Sequence, residues 1–214
     1  MPVDQKVLLA LAGVAFGWLL KVVTDYLVSR KAESRTYRRA CFYVLRDYKA
    51  LFDYERGTAY FRASKPPVAD FEPWRATLEA RFLEASEANG TSVSTAIDLV
   101  ASLDPPLAIR LHNSLNNLAF VFRRNLTKVA MQDEETYAGL LYTQEKLVEF
   151  TLQELADAAL FLAARAGKRE KRKLEKWLEE RTRGTAEFLE GMREQAPLRT
   201  RAFDLGKAES GAGA

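Results

Sequence analysis

From Val7 to Leu20 the chain runs for 14 residues without a charged side chain, and this run constrains the fold more than any other feature. Fourteen residues fall short of the roughly 20 that a helix needs to cross a hydrocarbon core. After Lys21, however, the apolar character resumes in Val22, Val23, Tyr26, Leu27 and Val28. Read as residues 7–28, the segment is about 33 Å long as a helix and reaches across. Lys21 is close enough to one end to snorkel toward the headgroups, and Asp25, one turn on, is placed to pair with it. Trp18 and Tyr26 suit the two-sided chemistry of a membrane–water boundary.

The flanks set an orientation. Asp4 and Lys6 cancel before the run, whereas Arg30, Lys31, Arg35, Arg38 and Arg39 follow it against Glu33. Positive charge stays on the cytoplasmic side, so the N-terminus is expected outside the inner membrane and the body of the chain in the cytoplasm. A cleaved signal peptide would carry its cations before the apolar run and a small-residue site after it, and this segment has neither. The competing reading is an apolar helix buried in the protein itself; against it, residues 8–20 show no polar stripe. Ala10, Gly13, Gly17 and Lys21 follow one face of the segment. Small residues there let two helices approach closely, so this face is the candidate for self-association within the membrane.

Beyond Ser29 no stop signal interrupts the helical pattern until Pro66-Pro67, and Gly57 is the one weak point. Tyr37, Cys41, Val44, Leu45, Tyr48, Leu51 and Phe52 form its apolar stripe. Further helices are expected over about 73–88 with Trp74, Leu78 and Phe82 facing inward, 93–103, 107–131, 133–166 and 170–193. Asp104 before Pro105, and Asp133 before Glu134 and Glu135, are N-terminal caps. The fold class expected is all-α: an N-terminal transmembrane helix continuing into an antiparallel cytoplasmic bundle of four to five helices. Its divisions are residues 1–6 outside, 7–28 in the membrane, 29–65 as a basic juxtamembrane helix, 66–195 as the bundle and 196–214 as a tail.

No constellation for catalysis emerges. One cysteine and one histidine, Cys41 and His112, cannot build a Cys/His zinc site. His112, Asn113, Asn116 and Asn117 flank a leucine stripe and read first as a solvated face. The acidic spacings Glu145/Glu149 and Glu154/Asp157 read the same way. Gly167-Lys168 lacks the glycine and hydroxyl of a phosphate loop. Neither a metal nor a cofactor is expected.

The second basic run, Lys168, Arg169, Lys171, Arg172 and Lys173 around Glu170, repeats the charge of the first. It reads as an exposed linker, as a surface for anionic lipid, or as a phosphate-backbone binder. Nucleic acid is the weakest of these, because a net charge of +3 over the chain gives no such footprint. In layout, over Val7 to Arg39, the chain resembles bacterial proteins with one reverse anchor, a basic juxtamembrane stretch and a helical cytosolic body. Some of that build act as effectors in phage defence. The resemblance transfers no active-site residue. The function expected is therefore a membrane-tethered interaction or sensing module without catalysis. The alternative is an oligomeric membrane-perturbing effector. The partners expected are the lipid bilayer, a second copy of the chain and a cytoplasmic protein.

Overall fold

A computed structural model describes residues 2–63, 66–88, 92–122, 126–187 and 190. Side-chain surroundings are described over the same ranges except at 2–9, 12, 85–88, 92, 118 and 121. Among the described residues there are seven helices and no strand: α1 (Pro2–Ala63), α2 (Val68–Ala88), α3 (Ser92–Ala101), α4 (Pro105–Val121), α5 (Leu126–Ala130), α6 (Glu134–Ala166) and α7 (168–187). The all-α expectation holds. The expected tail, 196–214, and the end of the last helix lie outside the described residues.

The bundle is built on α1 and α6. Ser34 Oγ donates to the Ala166 carbonyl at 2.7 Å, Cys41 Sγ to the Ala159 carbonyl at 3.5 Å, and Arg62 pairs with Glu145. As one number rises the other falls, so the two helices run antiparallel. Ala40, Ala159 and Ala163 are buried where they meet, and small side chains there allow close approach. Val44 and Leu51 of α1, Val93, Ala96 and Val100 of α3, Leu107 and Leu111 of α4, and Val148, Leu155 and Leu162 of α6 complete the core. Each set recurs at spacings of three, four or seven, one face of an α-helix.

Helix α7 lies along α1 in the same direction. Arg38 meets Glu170 at 3.6 Å, the rings of Tyr48 and Trp177 are 6.1 Å apart, and Arg181 Nη2 reaches Asp53 Oδ1 at 2.7 Å. Arg181 also covers the Phe52 ring at 4.5 Å, and Leu174 is buried. The last helix is thus part of the bundle. Gly167 sits between α6 and α7 with φ of +151°, a backbone that side chains rarely adopt, and its N–H caps Ala163 at 2.9 Å. The basic run 168–173 forms the opening turns of α7, with its five cationic side chains exposed.

Three sequence expectations change. Helix α2 starts at Val68, ahead of Pro73, which it takes into its interior. The Pro67 carbonyl accepts from the N–H groups of Asp70 and Phe71, both at 3.0 Å, and the early start buries Phe71 and Glu72. Leu78 and Phe82 face inward as expected, but the turn before them is filled by Phe71 and Arg75 rather than by Trp74, which stacks on Phe61 at 5.4 Å. The expected 107–131 helix ends at Val121. Short α5 then turns Leu126 inward onto Phe71, Tyr137 and Leu141, burial that a straight helix would forfeit. Helix α3 gains its cap from another helix, the Asp47 carboxylate accepting from Val93 N–H at 3.0 Å.

Gly57 is no break in α1. A methyl group built there would lie 2.8 Å from Leu78 Cδ1, so the missing side chain seats Leu78 of α2. Gly57→Leu is expected to cost about 1–3 kcal/mol through overpacking. Gly57→Ala is expected to be close to neutral, because the leucine tip can move while helix propensity improves. Thermal melts of both variants check this; equal effects would contradict it.

Candidate membrane interface

Helix α1 divides into two halves of opposite character without a break. From Tyr37 onward its stripe is core. From Ala10 to Arg30, every side chain with described surroundings is exposed, Val14 at 72 % and Trp18 at 67 % among them. The reading of this segment as a helix buried in its own protein is therefore excluded over these residues. The helix begins at Pro2, so residues 2–6, expected as a separate short segment, continue it. Among the described residues, no helix is long and apolar enough to cross a membrane. Val7, Leu8, Leu9 and Ala12, which belong to the expected 7–28 span, lie outside the residues whose side chains are described.

The small-residue face is open. Ala10, Gly13, Gly17 and Lys21 are exposed, and a methyl group added at either glycine would meet nothing within 4 Å. Lys21 and Asp25 do not join in an ion pair with each other, contrary to expectation.

The two basic runs, distant in sequence, converge in space. The antiparallel α1–α6 pairing brings Ala166 to Ser34, and α7 then starts beside Arg38. Between them opens a cleft of about 730 Å³, with Arg30, Lys31, Arg35 and Arg38 on one side and Arg165 and Lys168 on the other. Arg165 was not foreseen as a member. Arg39, Arg169, Lys171, Arg172 and Lys173 are exposed but outside the cleft lining; Lys171 pairs with Glu175 at 3.4 Å. Val28 to Tyr37, where the core begins, spans about 14 Å of helix.

Sequence reasoning missed the buried polar network on the other side of α1. Arg75, 1 % exposed, makes a two-pronged pair with Glu72: Nε to Oε2 at 2.8 Å and Nη2 to Oε1 at 2.7 Å. Its Nη1 faces Glu79, Tyr54 and Gln144. Tyr137 and Thr127 donate to Glu72 at 2.6 and 2.8 Å. Burial pushes the Glu72 carboxyl up, yet the bonds from Arg75, Tyr137 and Thr127 outweigh it and hold the group below its ordinary range. Burial likewise raises Tyr54, to about 12 despite nearby Arg75. The network ties α2, α5 and α6 together. The one legible signal for it was an arginine three residues after a glutamate at core spacing.

Beside it, Glu55, Glu145 and Glu149 ring a cleft of about 220 Å³. Burial, then Glu149 and Glu145, raise the Glu55 carboxyl above its ordinary value. The folded state therefore holds the Glu55 proton more tightly than the unfolded chain. Ionised Glu55 opposes folding at neutral pH, and the penalty fades as pH falls through its raised value. Glu55→Gln is expected to raise the melting temperature at pH 7, with the gain vanishing below the ordinary glutamate range; a pH series of melts checks it.

His112, Asn113 and Asn116 are exposed, and Glu145, Glu149 and Glu154 pair with Arg62, Lys146 and Arg110. Among the described residues no group of three His, Cys, Asp or Glu could hold a metal. Cys41 is buried, and burial with nearby Glu170 lifts its thiol to about 11. Compared with known proteins, the chain matches no family model, no curated protein and no solved structure.

Proposed function

We propose that the protein is a membrane-tethered helical interaction or sensing module without catalytic activity, its bundle held at the cytoplasmic face by the first half of α1. One observation carries this: a single unbroken helix leaves its described apolar side chains exposed between Ala10 and Arg30 and supplies core residues from Tyr37 onward. So many exposed apolar side chains along one stretch of helix favour a non-aqueous neighbour. The basic cleft directly follows it along the helix, and positive charge on that side favours a cytoplasmic body. Because no hinge separates anchor from bundle, tilt or rotation in the membrane is passed to the bundle directly. Ile109 and Phe120 of α4 and Phe150 of α6 stay exposed and offer apolar contacts to a protein partner.

The orientation is tested by impermeant thiol labelling of intact cells, for which Cys41 is silent. Asp4→Cys is expected to react from outside, and Glu187→Cys only after permeabilisation; the reverse pattern overturns the topology. The open Gly13/Gly17 face supports a second reading, an oligomeric membrane-perturbing effector assembled through α1. Forced expression separates the two. An intact membrane potential fits the tether, whereas a collapse relieved by Gly13→Ile with Gly17→Ile fits the effector.

A further inference from the structure

The cleft between α1 and the turn from α6 into α7 is electrostatically unfavourable as the chain alone builds it. Six cationic side chains line it against the single carboxylate of Glu33. Arg38 is shared with Glu170 and Arg165 with Asp104, at 3.6 and 3.9 Å. Arg30, Lys31, Arg35 and Lys168 enter no ion pair among the described residues. Lys168 and Arg169 also open α7, where the positive end of the helix dipole disfavours cations. Such a concentration of like charge, with no compensating gain inside the chain, is characteristic of a position kept for a ligand.

What the cleft lacks is an anion, and one of its walls says more. Leu27 lines it, and from Leu27 the exposed apolar surface of α1 runs on through Val23 and Leu20 toward the N-terminus. A free anion would use only the cationic side. A molecule with a phosphate at one end and an acyl chain at the other fits both.

We propose that this cleft binds an anionic phospholipid, its phosphate between Lys31, Arg35 and Lys168 and its acyl chain along Leu27. The headgroup class favoured is one whose phosphate has no cation of its own, as in phosphatidic acid, over a zwitterionic headgroup such as phosphatidylcholine. The site deepens the membrane reading and rests on it for the source of the lipid.

Thermal melts of the full chain in neutral detergent test it, with dioleoyl phosphatidic acid, dioleoyl phosphatidylcholine or inorganic phosphate added at equal concentration. Phosphatidic acid is expected to raise the melting temperature, and the other two to leave it unchanged. Arg35→Gln with Lys168→Gln is expected to weaken the apparent affinity about 30-fold, from roughly 1 kcal/mol per cation at a membrane surface. Without lipid, that double variant is expected to melt no lower than the parent, because it removes repulsion and no ion pair. Lys176→Gln with Arg183→Gln, an equal charge loss further along α7, is expected to retain the response. Equal loss in both pairs would reduce the site to diffuse attraction, and an equal shift from inorganic phosphate would make it a free-phosphate site. Either result, or no shift in the parent, overturns the proposal. Micelles present the lipid whether or not α1 crosses a bilayer, so failure here is distinct from failure of the tether.

Discussion

Arg75→Ala is expected to lower the melting temperature of the full chain by on the order of 10 °C or more. The substitution removes the cation paired with Glu72, which is 3 % exposed, and strips Glu79 of its pair. Breaking a buried ion pair from one side costs about 3–5 kcal/mol, because the stranded charge has neither water nor partner. Against a domain stability of about 5–15 kcal/mol, that is a large share. The control is the double substitution Glu72→Gln with Arg75→Met, which leaves neither of the paired charges buried, while the amide oxygen can still accept from Tyr137 and Thr127. It is expected to recover much of the loss. The acid limb follows from the same bonds. Glu72 is held below its unfolded value, so its contribution is present above the ordinary glutamate range and is lost as pH falls through the depressed folded value. Denaturant melts of the single and double variants check this. A single variant no worse than Arg81→Ala, a change at an exposed charge, would mean the network contributes little.

Val14→Arg with Leu19→Arg is expected to abolish flotation of the full chain with neutral liposomes. Both side chains are exposed in the folded chain, and two environments predict opposite outcomes there. In water, such surface changes are worth at most about 0.5 kcal/mol. In lipid, each arginine near the helix centre costs about 3 kcal/mol on insertion scales, so two shift the partition by about 6 kcal/mol, a factor of more than about 10⁴. The bundle should melt as before, since its core begins at Tyr37. Unimpaired flotation would show that these positions do not meet hydrocarbon.

Local signals made much of this architecture legible. Asp133 caps α6 as its spacing before Glu134 and Glu135 implies, accepting from Glu135 N–H at 3.0 Å. Pro66-Pro67 follows the end of the long helix, and the Tyr37–Leu51 stripe is core. The departures arise where tertiary contacts override local preference. Asp47 caps α3 from a different helix, which no window along the chain reveals. Helix α2 puts Arg75 on its inward face because Glu72 and Glu79 neutralise it, whereas a stripe read from apolar residues alone selects Trp74. Helix α4 stops at Val121 so that α5 can bury Leu126 and offer Thr127 to Glu72. The candidate interface was half visible. Both basic runs stood out, yet their meeting depends on α6 returning antiparallel to α1 and on the turn at Gly167, and Arg165 joins them only in three dimensions.

Tethering depends on lipid surrounding the exposed apolar stretch of α1, and alkaline carbonate extraction of membranes from cells producing the full chain measures that most directly. The chain is expected to stay in the pellet and to leave it only with detergent. Quantitative release into the supernatant as a folded, monodisperse protein would contradict the account.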